Sequence, residues 1–464
     1  MQKILFDNNS CPQKTSTECE RYEGVQTYIG ITENNFVEVQ LTNESLLEEI
    51  LSASNLNRAY KQVMRNKGAG GVDKMDLNNL LPYLKQHKDE LLRTLYMGKY
   101  KPNPVRRVEI PKEGGKTRPL GIPTVVDRLI QQAISQVLTR IYDNSFNDNS
   151  CGFRPKRGCH DALRRVQKHV SDGYKYAVDL DLEKFFDTVN HSKLIEILSR
   201  TIKDNRLISL IHKYLNAGVL VNHVFTETTE GVPQGGNLSP LLSNIMLNEL
   251  DKELTNRGHK FVRYADDCII LCKSKRAAQR VKQSVVEYIE KQLLLRVNKE
   301  KTKVGYIKGL KFLGYSFYIM KGKCLLSLHP KSLNKMKAKL KELTSRSNGM
   351  GYEQRKKKLT LYIQGWINYY KLAEMKNHLK RVDEWYRRRL RMCIWKCWKK
   401  VKTKFQNLMK CGIDKHKAWE WANTRKGYWH TSNSWILSRS ITNDNLRLAG
   451  YPSLSDYYRK FYRN

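Results

Sequence analysis

The 464-residue sequence contains no run of eighteen apolar residues, the length that a membrane-spanning helix requires. Its first residues, MQKILFDNNS, also lack the apolar stretch and the small-residue cleavage site of a secretory signal. Both absences argue against an integral membrane protein or an exported one. We therefore expect a globular protein of the cytosol with no membrane partner, and its length allows two or three domains.

Paired Cys-x-x-Cys units are missing as well, although the chain has ten cysteines. Cys393 and Cys397 are one helical turn apart, and no Cys or His pair lies at the spacing of a zinc finger. We expect core thiols that stay reduced, as is usual in the cytosol, rather than a zinc module.

Acidic residues are scarce beside basic ones, with 45 Asp and Glu against 84 Lys and Arg and a net charge of +39. This excess is larger than solubility needs, and a polyanion is the simplest partner. Residues 331–464 alone carry 33 basic and nine acidic side chains, as expected of a surface that follows a phosphate backbone. All eight tryptophans lie at or after Trp366, where they could stack on bases or fill a core.

Hydrophobic periodicity divides the chain into regions of different character. Residues 1–40 show no steady period and are predicted to form a loosely ordered extension. A helical pattern follows the caps at 42–45 and ends at the glycines of 68–71. Strands and helices then alternate to about residue 320.

Long basic amphipathic helices predominate in the last third, for example in RVDEWYRRRLRMCIWKCWKK. Arg387, Arg388 and Arg391 cluster on one face of that helix, and the apolar residues fall on another. A single face of this kind is often merely solvated. Several such helices in succession favour nucleic-acid binding, and these three arginines are the predicted RNA contacts.

One pair of aspartates lies between two apolar runs, in RGHKFVRYADDCIILCKS. The runs predict two short strands, with Ala265 to Asp267 as the tight turn between them. Asp266 and Asp267 repel one another at the tip, so the turn is either solvated or collects a cation. Both interpretations remain open for this segment alone.

A second acidic segment is YKYAVDLDLEKFFDTVNH. Strand alternation places Asp179, Asp181 and Glu183 on the same face. Carboxylates at a strand end suit Mg²⁺, which prefers hard oxygen ligands together with substrate phosphates. Next to the Asp266–Asp267 turn, one of these aspartates would complete a site for two ions that clamp the attacking and leaving oxygens of a phosphoryl transfer.

Two further segments could contact a nucleotide. In TEGVPQGGNLSPLLSNIMLNELDKEL the glycines allow close backbone approach, and Ser239 followed by Pro240 predicts a capped helix start. In VRRVEIPKEGGKTRPL, Arg106, Lys112 and Arg118 recur every six residues on a predicted two-stranded hairpin and could grip a triphosphate. A plain turn and a solvated basic hairpin explain the two segments equally well in isolation.

Taken in order, seven segments resemble the successive motifs of the reverse transcriptases encoded by group II introns. They are RPLGIPTVVDRLIQQA, GFRPKRG, DLDLEKFFDTVNH, GVPQGGNLSPLLSNIMLNELD, FVRYADDCII, LRVNKEKTKV and GLKFLGYSF. The resemblance runs from about residue 42 to the end, since GWINYYK and the following basic helices look like that family's thumb or maturase region. Because no zinc-type endonuclease module is recognisable, the sequence most resembles the compact bacterial class of this family, called IIC.

The resemblance implies an α+β fold, the right-hand polymerase with fingers, palm and thumb. It implies fingers and palm in residues 41–320 and a helical thumb or maturase domain in 321–400. A basic DNA-binding region then follows in 401–464, and the extension, residues 1–40, has no counterpart in the family.

Carried over residue by residue, the resemblance assigns Asp181, Asp266 and Asp267 as catalytic ligands of two Mg²⁺ ions, for which Mn²⁺ is an alternative. Asp181 is preferred to Asp179 because it precedes Phe186 by five residues, the spacing at which the family places its aromatic sugar gate. A phenylalanine there implies a preference for deoxynucleotides.

The resemblance also implies contacts to the incoming nucleotide and to the primer. The nucleotide-binding residues are Arg106, Lys112, Arg118, Phe186 and Gln234. Lys301 is the expected proton donor to the leaving pyrophosphate, and Lys303 is close enough to compete for that role. The segment 310–317 is the expected primer grip.

Two functions from different classes fit these residues. The first is an RNA-directed DNA polymerase that extends a DNA or RNA primer with dNTPs on an RNA template, copies its intron RNA at a DNA target during retrohoming, and assists splicing. The second is a maturase in which the polymerase fold serves only to bind intron RNA. A third, a related reverse transcriptase recruited to phage defence, is opposed only by the thumb-region resemblance. The intact aspartates and Phe186 favour the polymerase.

Overall fold

The computed structural model describes residues 45–111, 115, 117–221 and 224–461, together with the backbone of 29–32 and 35–38. Lys112 lies outside these residues, as does most of the predicted N-terminal extension. The chain forms two compact units, Met1–Gly305 and Tyr306–Asn464. This division falls earlier in the chain than the expected boundary at residue 320.

The N-terminal unit mixes helices and strands. Its helices are α1 (Leu46–Leu51), α2 (Ala53–Asn66), α3 (Leu80–Tyr96), α4 (Val125–Asp143), α5 (Cys159–Ser171), α6 (Phe185–Thr188), α7 (His191–Thr201), α8 (Asn205–Leu215), α9 (Ser239–Asn256) and α10 (Lys275–Lys291), with a 3-10 turn at Leu77–Asn79. Its strands are β1 (Ile29–Thr32), β2 (Asn35–Glu38), β3 (Val105–Pro111), β4 (Thr117–Ile122), β5 (Tyr176–Leu180), β6 (Val219–Val221), β7 (Val224–Thr226), β8 (Lys260–Tyr264), β9 (Asp267–Cys272) and β10 (Lys303–Tyr306), whose last residue opens the C-terminal unit. The β1–β2 pair lies within the segment that was expected to be loosely ordered.

Two helix starts differ from the sequence prediction. The single helix predicted after residue 42 is divided into α1 and α2, because the Ser52 side chain accepts a hydrogen bond from the Asn55 N–H and caps a new helix. Ser239 is not the cap of α9. Leu238 holds that position, and the Ser239 hydroxyl instead donates to the Pro233 carbonyl at 2.6 Å.

A four-stranded central sheet has the order β10-β5-β9-β8. The β8–β9 hairpin confirms the predicted strands around the aspartate pair, although Asp267 is already the first residue of β9. Leu180 and Cys268 face the main hydrophobic core of the unit, which also contains residues of α4, α7, α8 and α9. The alternating residues, including Asp179, therefore lie on the opposite face of the sheet.

A second four-stranded sheet has the order β4-β3-β6-β7. Strands β3 and β4 pair antiparallel from Arg106 opposite Ile122 to Pro111 opposite Thr117, which confirms the predicted hairpin. Strand β6 joins β3 in parallel, and residues after β7 lead into the glycine-rich loop 231–236.

The C-terminal unit begins with a three-stranded sheet and continues as helices. Its strands are β11 (Lys311–Phe312), β12 (Tyr315–Met320) and β13 (Lys323–Leu328), and its helices are α11 (Pro330–Leu343), α12 (Tyr352–Tyr370), α13 (Lys376–Cys397), α14 (Val401–Lys410), α15 (Lys415–Ala422), α16 (Tyr428–Thr431), α17 (Trp435–Ser440), α18 (Asn443–Leu448) and α19 (Leu454–Arg459). Its own core contains Leu340, Leu379 and Trp395. Trp395 is 1% exposed and fills this core, whereas Trp419 is 58% exposed. Base stacking by the exposed tryptophans stays a prediction.

Within the described ranges, no helix is both long enough and apolar enough to cross a membrane. The eight cysteines that the structure describes are free.

Candidate active site

The central sheet brings the two acidic segments together. Strands β5 and β9 are antiparallel, and their last pair is Leu180 opposite Cys268. Continued by one residue, this register sets Asp181 opposite Asp267, and opposed residues lie on the same face of a sheet. Asp179 lies on that face too, and burial first, then the charge of Asp181, raise its pKa to about 6. One face of the sheet therefore carries Asp179, Asp181 and Asp267, which are widely separated in the sequence.

Asp181 is held by the segment that leads into β10. The Asp181 N–H donates to the Thr302 hydroxyl at 3.2 Å, and the Asn298 N–H donates to the Asp181 carbonyl at 2.9 Å. This segment carries Lys301, whose Nζ lies 3.1 Å from Oδ2 of Asp181. The structure thus places Lys301 beside a predicted catalytic carboxylate, while the charge of Lys303 acts to lower the pKa of Asp179.

The donor set suits a divalent cation. Carboxylate oxygens are what Mg²⁺ prefers, and Oδ2 of Asp181 is buried with the Lys301 ammonium as its ion-pair partner at 3.1 Å. Over the same described residues, no group of three or more His, Cys, Asp or Glu side chains is arranged to hold a metal ion. The ligand set Asp181, Asp266 and Asp267 therefore stays a prediction.

A buried polar network supports the Asp266–Asp267 turn. Arg263 and Asp251 form a fully buried ion pair with Nη2 to Oδ2 at 2.5 Å. Nη1 of Arg263 also donates to the carbonyl of Ala265 and to Oδ1 of Asn244, both at 3.0 Å. Burial alone lowers the pKa of Arg263, but the Asp251 carboxylate more than offsets this and leaves the pKa raised. The residue just before the aspartates is thus fixed from inside the protein.

Gly152 packs directly against this turn. A Cβ at Gly152 would lie 2.3 Å from the backbone N of Ala265. Asn244, whose Oδ1 accepts from Arg263, also donates through Nδ2 to the Gly152 carbonyl at 2.9 Å. Ala265 itself has a φ of +58°, which alanine seldom adopts. The close approach of the 152 segment and the Arg263 network both act on this strained residue.

Phe186 lies on α6, just after the end of β5, and is 9% exposed. It forms an edge-to-face pair with Phe185 at 5.3 Å between ring centroids. The Val232 N–H donates to the Phe186 carbonyl at 2.6 Å, so the glycine-rich loop is bonded to the backbone of α6. The loop and the predicted sugar gate are therefore a single connected structure.

The same loop is bonded to the β3–β4 hairpin on its other side. Nε of Arg118 donates to Oε1 of Gln234 at 2.8 Å, and the Gly121 N–H donates to the Gln234 carbonyl at 2.6 Å. The structure thus brings these two predicted nucleotide contacts together. Arg118 pairs with Ile110 of β3, and Arg106 lies four residues before Ile110 on the same face of the hairpin. Four strand residues separate the two arginines by roughly 14 Å along the sheet.

The predicted RNA contacts on α13 have partners inside the protein. Arg391 donates to the Ile441 carbonyl at 2.8 Å and to Oδ1 of Asn443 at 3.0 Å. Arg388 donates to the Trp429 carbonyl at 3.0 Å and lies over that indole ring, and Arg387 contacts Ser453. All three are partly buried, so an RNA role for them stays a prediction.

Sequence reasoning assigned no role to Arg263, Asp251, Asn244 and Gly152, although all four lie within the seven quoted motifs. Asp251 and Arg263 belong to α9 and β8, and neither has a local pattern that predicts a buried pair. The available signal was an arginine inside an otherwise apolar strand, FVRY, since a buried charge requires a partner.

Comparison with known proteins identifies two domains. Residues 110–317 match the family model described as reverse transcriptase (RNA-dependent DNA polymerase), and residues 333–412 match the model described as group II intron, maturase-specific domain. These matches define the class of protein: a polymerase domain followed by an intron maturase domain.

Relatives name the family within that class. Protein YkfC of Escherichia coli (strain K12) is 34% identical over 59% of this chain and 82% of its own length. Group II intron-encoded protein LtrA of Lactococcus lactis subsp. cremoris is 33% identical over 56% of this chain and 54% of its own length. The chain belongs to the family of group II intron-encoded reverse transcriptases with a maturase domain.

Other matches are more distant. The putative COX1/OXI3 intron 2 protein of Saccharomyces cerevisiae is 29% identical over 61% of this chain and 40% of its own length. A solved partial Cas6-RT-Cas1–Cas2 complex matches 59% of this chain and 46% of its own chain at 25% identity, with a TM-score of 0.36. This chain thus spans about half of LtrA and most of YkfC.

Proposed function

We propose that the protein is an RNA-directed DNA polymerase that copies its intron RNA into DNA at a DNA target during retrohoming, and that it also assists splicing of that RNA in the bacterial cytosol. The observation that carries the proposal is the β5–β9 register, which sets Asp181 opposite Asp267 with Lys301 within 3.1 Å of Asp181. The two matched domains support both parts of the activity.

Asp181, Asp266 and Asp267 hold two Mg²⁺ ions, or Mn²⁺, in this proposal. When bound, the ions supply positive charge that favours deprotonation of the primer 3′-hydroxyl and stabilises the triphosphate. The buried Arg263–Asp251 pair fixes the carbonyl before Asp266, so the carboxylates need little reorganisation.

The chain's other residues bind and orient the nucleotide. Arg118, Arg106 and Lys112 contact the triphosphate, and the bond between Arg118 and Gln234 aligns the loop with the hairpin. Phe186 lies under the sugar, where a 2′-hydroxyl would collide with its ring. The Lys301 ammonium, already beside Asp181, gives a proton to the leaving pyrophosphate.

Primer extension on a structured RNA template tests the proposal. With Mg²⁺ and dNTPs, wild-type protein should yield long DNA, Asp266→Ala should lose it by about a thousandfold or more, and rNTPs should not replace dNTPs. Phe186→Ala should admit rNTPs while keeping dNTP incorporation.

Asn190→Ala, a helix cap in the same unit, serves as the control that loses a hydrogen bond but no proposed catalytic group. Wild-type protein that binds intron RNA tightly and makes no DNA would overturn the polymerase proposal and leave a splicing scaffold.

A further inference from the structure

Two basic cavities lie in the N-terminal unit, and residues of α5 line the first of them. The first has a volume of about 600 Å³ and is lined by Lys156, Arg164 and Lys168, among others. The second has a volume of about 540 Å³, and Lys260, Lys273 and Arg280 line it together with Tyr174, Leu271 and Val281. Volumes of this size are typical of ligand sites, and neither cavity belongs to the site described above.

The topology places these cavities along the full length of the central sheet. Gly152, a few residues before the first cavity, touches the backbone of the Asp266–Asp267 turn. Tyr174 follows α5, and the pairs Tyr176–Cys272 and Lys260–Leu271 mark the opposite end of the sheet, beside the second cavity. Helix α5 spans about 20 Å between the two ends.

Cations of both cavities act on the same histidine, His169. His169, on α5, has a lowered pKa, caused first by burial and then by the charges of Lys260, Lys168 and Arg165, which exceed the opposing charge of Asp172. Lys260 belongs to the second cavity, while Lys168 and Arg165 belong to the first. Cations from both cavities therefore lie near enough to His169 to act on the same ring.

Six of the lining cations are exposed and have no ion-pair partner among the described residues. They are Lys156, Arg164, Lys168, Lys260, Lys273 and Arg280, and we call them the α5 track. Two further cations in the cavities are neutralised: Arg157 pairs with Asp148 and Arg257 with Glu253, both at 2.6 Å. The carboxylates of the first cavity are engaged too, Asp143 with Arg154 at 2.6 Å and Asp161 with the Gly158 N–H at 2.9 Å.

We propose that the α5 track binds the sugar–phosphate backbone of structured intron RNA, outside the polymerase active site. A set of six exposed cations without carboxylate partners in the described part of the chain, spread over two cavities, suits a phosphate chain better than a small anion. The far end of the track is separated from the Asp266–Asp267 turn by the length of β9, about 17 Å, so RNA bound there is not at the primer terminus. The inference rests on the proposed function for its choice of RNA.

Replacing three lysines of the track tests it. Lys168→Ala, Lys260→Ala and Lys273→Ala combined should weaken binding of in vitro transcribed group II intron RNA and should lower the slope of log affinity against log KCl by about three. Extension of a primer on a template too short to leave the active site should stay at the wild-type rate. The matched control combines Lys61→Ala, Lys85→Ala and Lys203→Ala, three exposed lysines of the same unit outside both cavities.

Each outcome has a distinct meaning. Equal losses of affinity in the track and control variants would overturn the proposal, because total charge alone would then explain them. A comparable loss of short-template extension in the track variant would overturn it as well, by placing the track in the active-site cleft. Wild-type protein without polymerase activity whose RNA affinity still depends on the track would refute the proposed polymerase and retain the track.

Discussion

At the scale of single residues, the catalytic turn depends on neighbours to which the sequence motifs assign no role. Ala265 has a positive φ where a glycine is usual, and the backbone of Gly152 and the Arg263 side chain both contact it. The aspartates could be predicted from sequence because their chemistry is unusual between apolar strands. Gly152 could not, since its importance arises from an approach between segments more than a hundred residues apart.

Gly152→Ala should slow polymerisation without preventing folding or RNA binding. The new Cβ would lie 2.3 Å from the Ala265 N, so the turn must shift, and a misplacement of about 1 Å costs on the order of 100-fold in rate. Single-turnover primer extension measures the effect. Gly305→Ala is the control, since no atom lies within 4 Å of its added Cβ. A wild-type rate for Gly152→Ala would show that the turn tolerates displacement.

At the scale of elements, the sequence predicted those strands and helices that are determined by the residues within them. The hairpin β8–β9, the strand β5 and the helices α4 and α9 follow from apolar periodicity and turn residues, and the structure has them. The division between α1 and α2 was missed, because Ser52 reads equally well inside a helix or as a cap. The partners of the α13 arginines were also missed, since they come from segments that follow α13 by dozens of residues.

Helix α13 should therefore respond differently to mutation along its length. Arg391→Ala removes two hydrogen bonds to the Ile441–Asn443 segment and should lower the free energy of unfolding by about 1.5–3 kcal/mol. Arg381→Ala, on an exposed position of the same helix, should change it by less than about 0.5 kcal/mol. Urea denaturation followed by tryptophan fluorescence compares them, and equal stabilities would mean that the Arg391 contacts contribute nothing.

At the scale of the whole molecule, the two compact units have separate hydrophobic cores. The tryptophans are distributed just as unevenly, since all eight lie in the C-terminal unit. Tryptophan fluorescence of the intact protein consequently reports on that unit alone, whereas circular dichroism reports on both units. The composition thus provides a probe for each unit in the native chain.

Core truncations should separate the two units by this measurement. Leu379→Ala, in the C-terminal core, should lower the fluorescence midpoint in urea by an amount that corresponds to about 2–5 kcal/mol. Leu198→Ala, equally buried in the N-terminal core, should shift the circular dichroism transition and leave the fluorescence midpoint unchanged. Identical shifts in both signals for both variants would show that the units unfold together.

The register between β5 and β9 has a consequence for how such a gene can change. The opposition of Asp181 and Asp267 depends on which residues pair, and not on how much chain connects the two strands. Loss of one codon within β5 would turn every following side chain, Asp181 included, to the other face of the sheet and remove the carboxylate pair in one step. Extra codons in the connection between β6 and β7 leave that pairing intact. Natural length variation should therefore accumulate in such connections and be eliminated from these two strands.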